Sequence, residues 1–276
     1  MSNHFPMLKA LLLIVLYFFS ELPFLQAQTH IIPLSNAHSH NDYHQKEPLF
    51  GALKNGFSSV EADVLLIDGE LYVAHDKPVG KNNLPTLEDL YLKPLSQRIT
   101  SNNGEVYPND KGVFYLMIDF KTDAEKTYQK LEEILENYAP ILTKWENGKR
   151  VSGPVEIFIS GNRPIETVSS QKNRMVSLDG RPSDLGKNIS PELMPVISQN
   201  FNQILKWNGK KEIKEKELNK LKTLVKQVHE EGKKLRLWAS PDHQQGWMLL
   251  YSAGVDLINT DDLEGLSEYL RTQKNE

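Results

Sequence analysis

No cysteine occurs in the 276 residues, which excludes a disulfide framework, a thiolate metal site and a lipid-modified cysteine. Basic residues are not in excess either. With 32 Lys and Arg against 36 Asp and Glu, the formal net charge is -4, which leaves no electrostatic footprint for a nucleic-acid backbone. Any phosphate must therefore be recognised locally. Long apolar runs are missing apart from residues 10–19, and that run is shorter than the ~20 residues a membrane span needs. With Lys9 before it and Leu25-Gln26-Ala27 after it, the stretch reads as an export signal over residues 1–27, a membrane anchor being the alternative. The expected product is periplasmic or secreted, with residues 28–276 as one domain and no stable span after cleavage. Repeats, linkers and low-complexity segments are also absent from the sequence.

What is present is an ordinary globular composition, 39% hydrophobic and 25% charged, organised as alternation. Apolar runs of strand length at 31–37, 59–66, 71–74, 113–118, 155–159, 175–178, 195–198, 235–239 and 255–259 interleave with amphipathic stretches. Those stretches fall at 48–55, 87–98, 124–137, 214–231, 243–252 and 263–272. Repeated βα units around a parallel sheet are the expected outcome. The candidate strands outnumber those of a closed eight-stranded barrel by one. In 214–231, Leu218, Leu221, Leu224, Val225 and Val228 form one helical face, and the lysine-rich remainder reads as solvated surface. Gly56, Gly232 and Gly254 stand where left-handed helix caps are needed, and 98–112 is the candidate long surface loop.

The chemistry is concentrated early. On a strand, Glu61 and Asp63 share one face while Val60, Ala62 and Val64 share the other. Two neighbouring carboxylates in a partly buried site need a compensating cation or a shared proton, and a hard divalent ion is the natural partner. His75 follows the short apolar run 71–74, a position that reads as the carboxyl end of a parallel strand, where α/β barrels collect their chemistry. The run 113–118 reads as a strand buried on both faces and ends in Asp119 and Lys121, a third acid and a lysine able to hold a phosphate oxygen. Histidines on either side of the acids supply a general acid and a general base.

These words, His40-Asn41-Asp42-Tyr43, Ser59-Val60-Glu61-Ala62-Asp63-Val64 and a strand ending His75-Asp76, resemble the phospholipase C-like phosphodiesterase superfamily. Its members include glycerophosphodiester phosphodiesterases, phosphatidylinositol-specific phospholipases C and sphingomyelinase D-like enzymes. Within it, the wording is most similar to the branch named for altered inheritance of mitochondria protein six. The resemblance implies a distorted TIM (β/α)8 barrel of the α/β class and a metal-dependent phosphoric diester hydrolase acting on a glycerophosphodiester or phospholipid headgroup. It further implies one divalent cation, Mg2+ or Ca2+, held by Glu61, Asp63, Asp119 and Asn41. The catalytic histidines would be His75 with His40, or with His38 if the sphingomyelinase D spacing is followed. Lys121 and Trp238 are the candidate substrate contacts.

One departure matters: glycerophosphodiesterases place arginine after the first histidine, whereas His40 is followed by Asn41. Phosphate contacts must then come from Lys121, Arg163 or Arg181. Two rival readings follow from the same residues. His38-x-His40 is also how zinc amidohydrolases begin, although they need later strand-end histidines that this chain lacks. A non-catalytic binding barrel would instead use Trp207, Trp238 and Trp247 to line a pocket.

Overall fold

Eight parallel strands close on themselves. They are β1 (Leu34–Ser39), β2 (Phe57–Ile67), β4 (Phe114–Phe120), β7 (Val155–Gly161), β8 (Val176–Gly180), β9 (Val196–Asn200), β10 (Lys234–Trp238) and β11 (Leu257–Thr260). Each pairs in parallel with the next, and β11 returns to β1 through His38 opposite Asn259 and Ser39 opposite Thr260. The structure, a computed structural model, describes residues 31–77 and 84–273, so the expected export signal lies outside the described residues.

The ninth candidate strand is not part of the barrel wall. β3 (Glu70–Val73) runs antiparallel to β2, with Val64 opposite Val73 and Ile67 opposite Glu70. His75 therefore does not stand at the end of a parallel strand, as its apolar run suggested. β2 is eleven residues long, and its far end carries a hairpin that folds back and returns His75 to the level of Asp63. The turn uses Asp68 and Gly69, both at positive φ.

Helices α1 (Phe50–Lys54), α2 (Lys93–Ser101), α3 (Ala124–Leu135), α4 (Ile165–Ser170), α5 (Phe201–Ile204), α6 (Glu215–Glu230), α7 (Gln244–Ala253) and α8 (Leu263–Gln273) connect the strands. A π-helical turn, Glu88–Leu92, leads into α2. On α6 the expected stripe is realised, with Leu221, Leu224, Val225 and Val228 buried, each contributing about 1.5–3 kcal/mol of apolar burial. Gly56, Gly232 and Gly254 all adopt the left-handed conformation expected of them.

Two further features depart from the sequence reading. Within 98–112 the helix runs on to Ser101, and Val106 and Tyr107 are buried, with the Tyr107 hydroxyl donating to the Phe57 carbonyl at 2.6 Å. A small antiparallel hairpin, β5 (Lys144–Glu146) with β6 (Lys149–Val151), sits outside the barrel, where the sequence pattern shows no candidate strand.

Strand alternation divides the interior into two cores. Outward-facing Val60, Ala62, Leu116, Ile118, Ile157 and Ile159 join the large apolar cluster under the helices. Inward-facing Met117, Phe158, Val196 and Leu257, with Tyr115 against them, make a separate small apolar plug. Beyond the plug, toward the carboxyl ends of the strands, the inward positions turn polar: Glu61, Asp63, Asp119, Ser160, Asp179, Ser198 and Arg236. A barrel interior has no room for bulk water, so each of these groups needs a partner or a ligand.

Candidate active site

The polar layer opens into a cavity of about 500 Å³ lined by His40, Asn41, Glu61, His75, Asp119, Lys121, Ser160, Gly161, Arg181, Arg236, Trp238 and Ala239. Eight of the residues singled out in the sequence line it: His40, Asn41, Glu61, His75, Asp119, Lys121, Arg181 and Trp238. Glu61, Asp63 and Asp119 each offer a carboxylate oxygen within 4.8 Å of the others, the only such three-ligand group among the described residues. Asp63 and Asp119 lie directly opposite each other on β2 and β4, so register alone brings them together.

The two cavity histidines are held alike. His75 Nδ1 lies 2.7 Å from Asp63 Oδ2, and His40 Nδ1 lies 2.9 Å from Asp261 Oδ1. A carboxylate on Nδ1 fixes the tautomer with its proton there and leaves Nε2 as the working nitrogen. His38 is different. It is fully buried, with Nδ1 2.7 Å from the Ser59 hydroxyl and Nε2 3.6 Å from Glu61 Oε2, too far for a hydrogen bond. Burial, reinforced by the nearby Arg236 cation, lowers its pKa to about 4 and keeps it neutral. His38 and His40 thus have separate environments, one sealed and one facing the cavity, unlike a paired zinc ligand set.

Asn41 takes the left-handed conformation at φ 44°, which asparagine tolerates, and its Oδ1 accepts from the Tyr43 hydroxyl at 3.2 Å. The same hydroxyl donates to Asp63 Oδ2 at 2.8 Å. Burial and the Asp63 charge hold the Tyr43 proton in place by raising its pKa far above the ordinary range. Lys121 Nζ bridges Asp63 and Asp119 at 3.0 and 3.2 Å. Burial works against its charge, but the two carboxylates outweigh burial and raise its pKa.

Arg236 is the residue the sequence did not disclose. Buried in the floor of the cavity, it donates from Nη2 to Glu61 Oε2 at 2.7 Å and from Nε to Asn259 Oδ1 at 3.0 Å. Burial would raise the pKa of Glu61, yet the guanidinium overcomes it and holds the carboxyl well below its usual range. Asp119 has no such partner, and burial lifts it to about 6 against the pull of Lys121.

The far wall is Arg181, which donates to Asp179 Oδ2 at 2.7 Å; Ser160 donates to the same oxygen at 2.7 Å. Trp238, 37% exposed, closes the mouth beside Ala239, which is held at φ 54°. Three sequence candidates fall elsewhere. Arg163 turns its guanidinium to the Asp179 carbonyl and does not line the cavity. Trp247 is buried with its indole on Asp242, and Trp207 lines a different groove.

The residues present suit a divalent ion. Asp63 Oδ1 and Asp119 Oδ1 are buried oxygens without any hydrogen-bond donor, a costly state that a hard cation relieves. A Cβ on Gly161 would come 2.0 Å from Asp119 Oδ1, so only glycine, here at φ 67°, leaves that oxygen its space.

The AIM6-like phosphodiesterase domain matches residues 26–179, more than half of the chain. The chain belongs to this family. Its similarity to curated relatives extends over the remaining strands. The altered inheritance of mitochondria protein 6 homolog of Arthroderma benhamiae is 29% identical over 87% of this chain and 84% of its own length. Altered inheritance of mitochondria protein 6 of Kluyveromyces lactis is 30% identical over 87% of this chain and 72% of its own. Among solved structures, a glycerophosphodiester phosphodiesterase from Parabacteroides distasonis superposes with a TM-score of 0.54 at 18% identity, covering 88% of this chain and 99% of that one. A phosphatidylinositol-specific phospholipase C from Listeria monocytogenes gives 0.50 at 9% identity over 88% and 94%. At these identities the two structures show a shared barrel fold.

Proposed function

We propose that this AIM6-like barrel is a divalent-cation-dependent phosphoric diester hydrolase, exported from the cell, that cleaves a small glycerophosphodiester or the headgroup diester of a phospholipid. The observation that carries the reading is the cavity itself. Two imidazoles, each anchored through Nδ1 by a carboxylate, flank three clustered acids and a lysine within one pocket.

Glu61, Asp63 and Asp119 are the residues that would hold the cation, with Asn41 beside them. A bound divalent ion supplies Lewis-acid polarisation of the phosphoryl oxygens and neutralises charge that grows in the transition state. Lys121, already between Asp63 and Asp119, presents its ammonium to the same region and can hold a phosphoryl oxygen. Arg181 offers a second cation across the cavity. His40 and His75 exchange protons through Nε2, one with the attacking hydroxyl or water and the other with the leaving oxygen. His40 is favoured over His38 as the first catalytic histidine because it lines the cavity, while His38 is sealed and neutral at physiological pH. Export is supported by the sequence of residues 1–27.

A panel of glycerophosphodiesters and phospholipid-headgroup diesters, assayed with and without chelator, tests the reading. Chelator-sensitive hydrolysis that disappears in His40→Ala and in His75→Ala is the expected result. Full turnover in either variant, or turnover untouched by chelator, would refute it.

A further inference from the structure

Each of the three clustered carboxylates has one oxygen facing a protein donor or cation, and Asp63 and Asp119 each keep the other buried without a donor. Glu61 Oε2 is held by Arg236 at 2.7 Å. Asp63 Oδ2 receives Tyr43, His75 and Lys121 at 2.8, 2.7 and 3.0 Å. Asp119 Oδ2 faces Lys121 at 3.2 Å. Asp63 Oδ1 and Asp119 Oδ1 are the buried oxygens without a donor, and Glu61 borders the cavity.

This division has a coordination consequence. Ca2+ takes six to eight oxygens and commonly uses both oxygens of a carboxylate, whereas Mg2+ accepts fewer protein oxygens and keeps several waters or phosphate oxygens. We propose that the donors on the back of the cluster limit it to one oxygen per carboxylate and so select Mg2+ over Ca2+, with Arg236 as the positioning residue that enforces this at Glu61. The inference rests on the metal-binding reading of the site given above.

Arg236 suits that role because its own place is fixed. It is buried, its Nε is bonded to Asn259 on β11, and its Nη2 reaches Glu61 on β2 from β10. A guanidinium fork spans two acceptors where an ammonium holds a point, so lysine is not its equivalent. The second effect is on charge: Arg236 and Lys121 together offset two of the three carboxylates, which lowers the pull on any cation and makes geometry the larger part of selectivity.

The experiment is calorimetric titration of chelator-stripped, full-length protein with MgCl2 and with CaCl2, in wild type, Arg236→Met and Arg236→Lys, with circular dichroism confirming the fold. Wild type should bind Mg2+ more tightly than Ca2+. Freeing Glu61 Oε2 in Arg236→Met should shift the ratio of the two dissociation constants toward Ca2+ by about tenfold, and Arg236→Lys should shift it less. Tighter Ca2+ binding by wild type overturns the proposal even if Arg236→Met does not fold, and so does an unchanged ratio in a folded variant. If wild type binds neither ion, the metal reading of the site fails and takes this inference with it. If no phosphodiester is hydrolysed but the ratio shifts as expected, the inference stands and only the assignment of the reaction falls.

Discussion

His40 and Asp261 meet at 2.9 Å across the seam where the first and last barrel strands close, and the His40 backbone N–H donates to the Thr260 carbonyl at 3.1 Å beside them. Asp261 is itself held, its N–H by Asp242 Oδ2 at 2.7 Å and its carbonyl by Gln45 at 2.9 Å. Asp261→Asn should therefore disturb the His40 tautomer without moving the backbone. The expected result is a kcat about 10- to 100-fold lower with little change in KM, read by steady-state kinetics on the best diester of the panel.

Gly161→Ala probes the space reserved for Asp119. The new methyl would press on Asp119 Oδ1 and on the Phe120 carbonyl, and alanine would have to hold a φ of 67°. We expect a loss of about 1–3 kcal/mol in stability together with weakened divalent-ion binding. Urea unfolding and calorimetry on the same preparation separate the two effects.

Acid titration should reveal two opposed groups. His38, lowered by burial to about 4 from 6.5, leaves the unfolded chain binding a proton that the fold refuses, so stability is lost as pH falls from 6.5 to 4. Asp119, raised by burial to about 6 from 3.8, acts in reverse: the fold binds the proton first, and stability is gained as pH falls from 6 to 3.8. In chelator-stripped wild type the two slopes oppose each other across the shared range. His38→Asn should uncover the Asp119 slope, so that acidification from pH 6.5 to 4 stabilises the variant relative to wild type by ~3 kcal/mol. Urea midpoints at several pH values measure this, and parallel curves would show that His38 does not titrate as described.

Asp42 carries structure and not chemistry. It is buried, accepts from the Ser39 hydroxyl at 2.6 Å, the Leu49 N–H at 2.5 Å and the Tyr91 hydroxyl at 3.0 Å, and thereby ties β1 to the start of α1 and to the π-helical turn. Burial raises its pKa despite those donors. Asp42→Ala should leave these donors buried and unpaired, at a cost of about 2–4 kcal/mol in thermal or urea unfolding. The dissociation constant for the divalent ion should stay unchanged in the fraction that remains folded.

Much of this was legible in the chain because a barrel strand buried on both faces reads as an apolar run, and its polar interruptions mark the inner face. Glu61, Asp63 and Asp119 announced themselves that way, and parallel register did the rest. Strand direction was not legible. Residues 71–74 look like any buried strand, and nothing local says that the partner runs the other way. Arg236 was hidden for a related reason: in Leu235-Arg236-Leu237 the arginine has the pattern of a solvated face, and only closure of the barrel turns that face inward. Arg163 and Arg181 are equally plausible in sequence. Asp179 separates them, offering its carbonyl to one and its carboxylate to the other.

In the proposed reaction the β2–β3 hairpin makes the two imidazoles separate parts of one site. One imidazole stands directly after β1 of the closed cylinder, while the other rides on an outgrowth that contributes nothing to ring closure. On the proposed reading, changes of length or wording in that outgrowth would retune or abolish proton transfer while the cylinder stays whole and keeps its ligand-binding bowl.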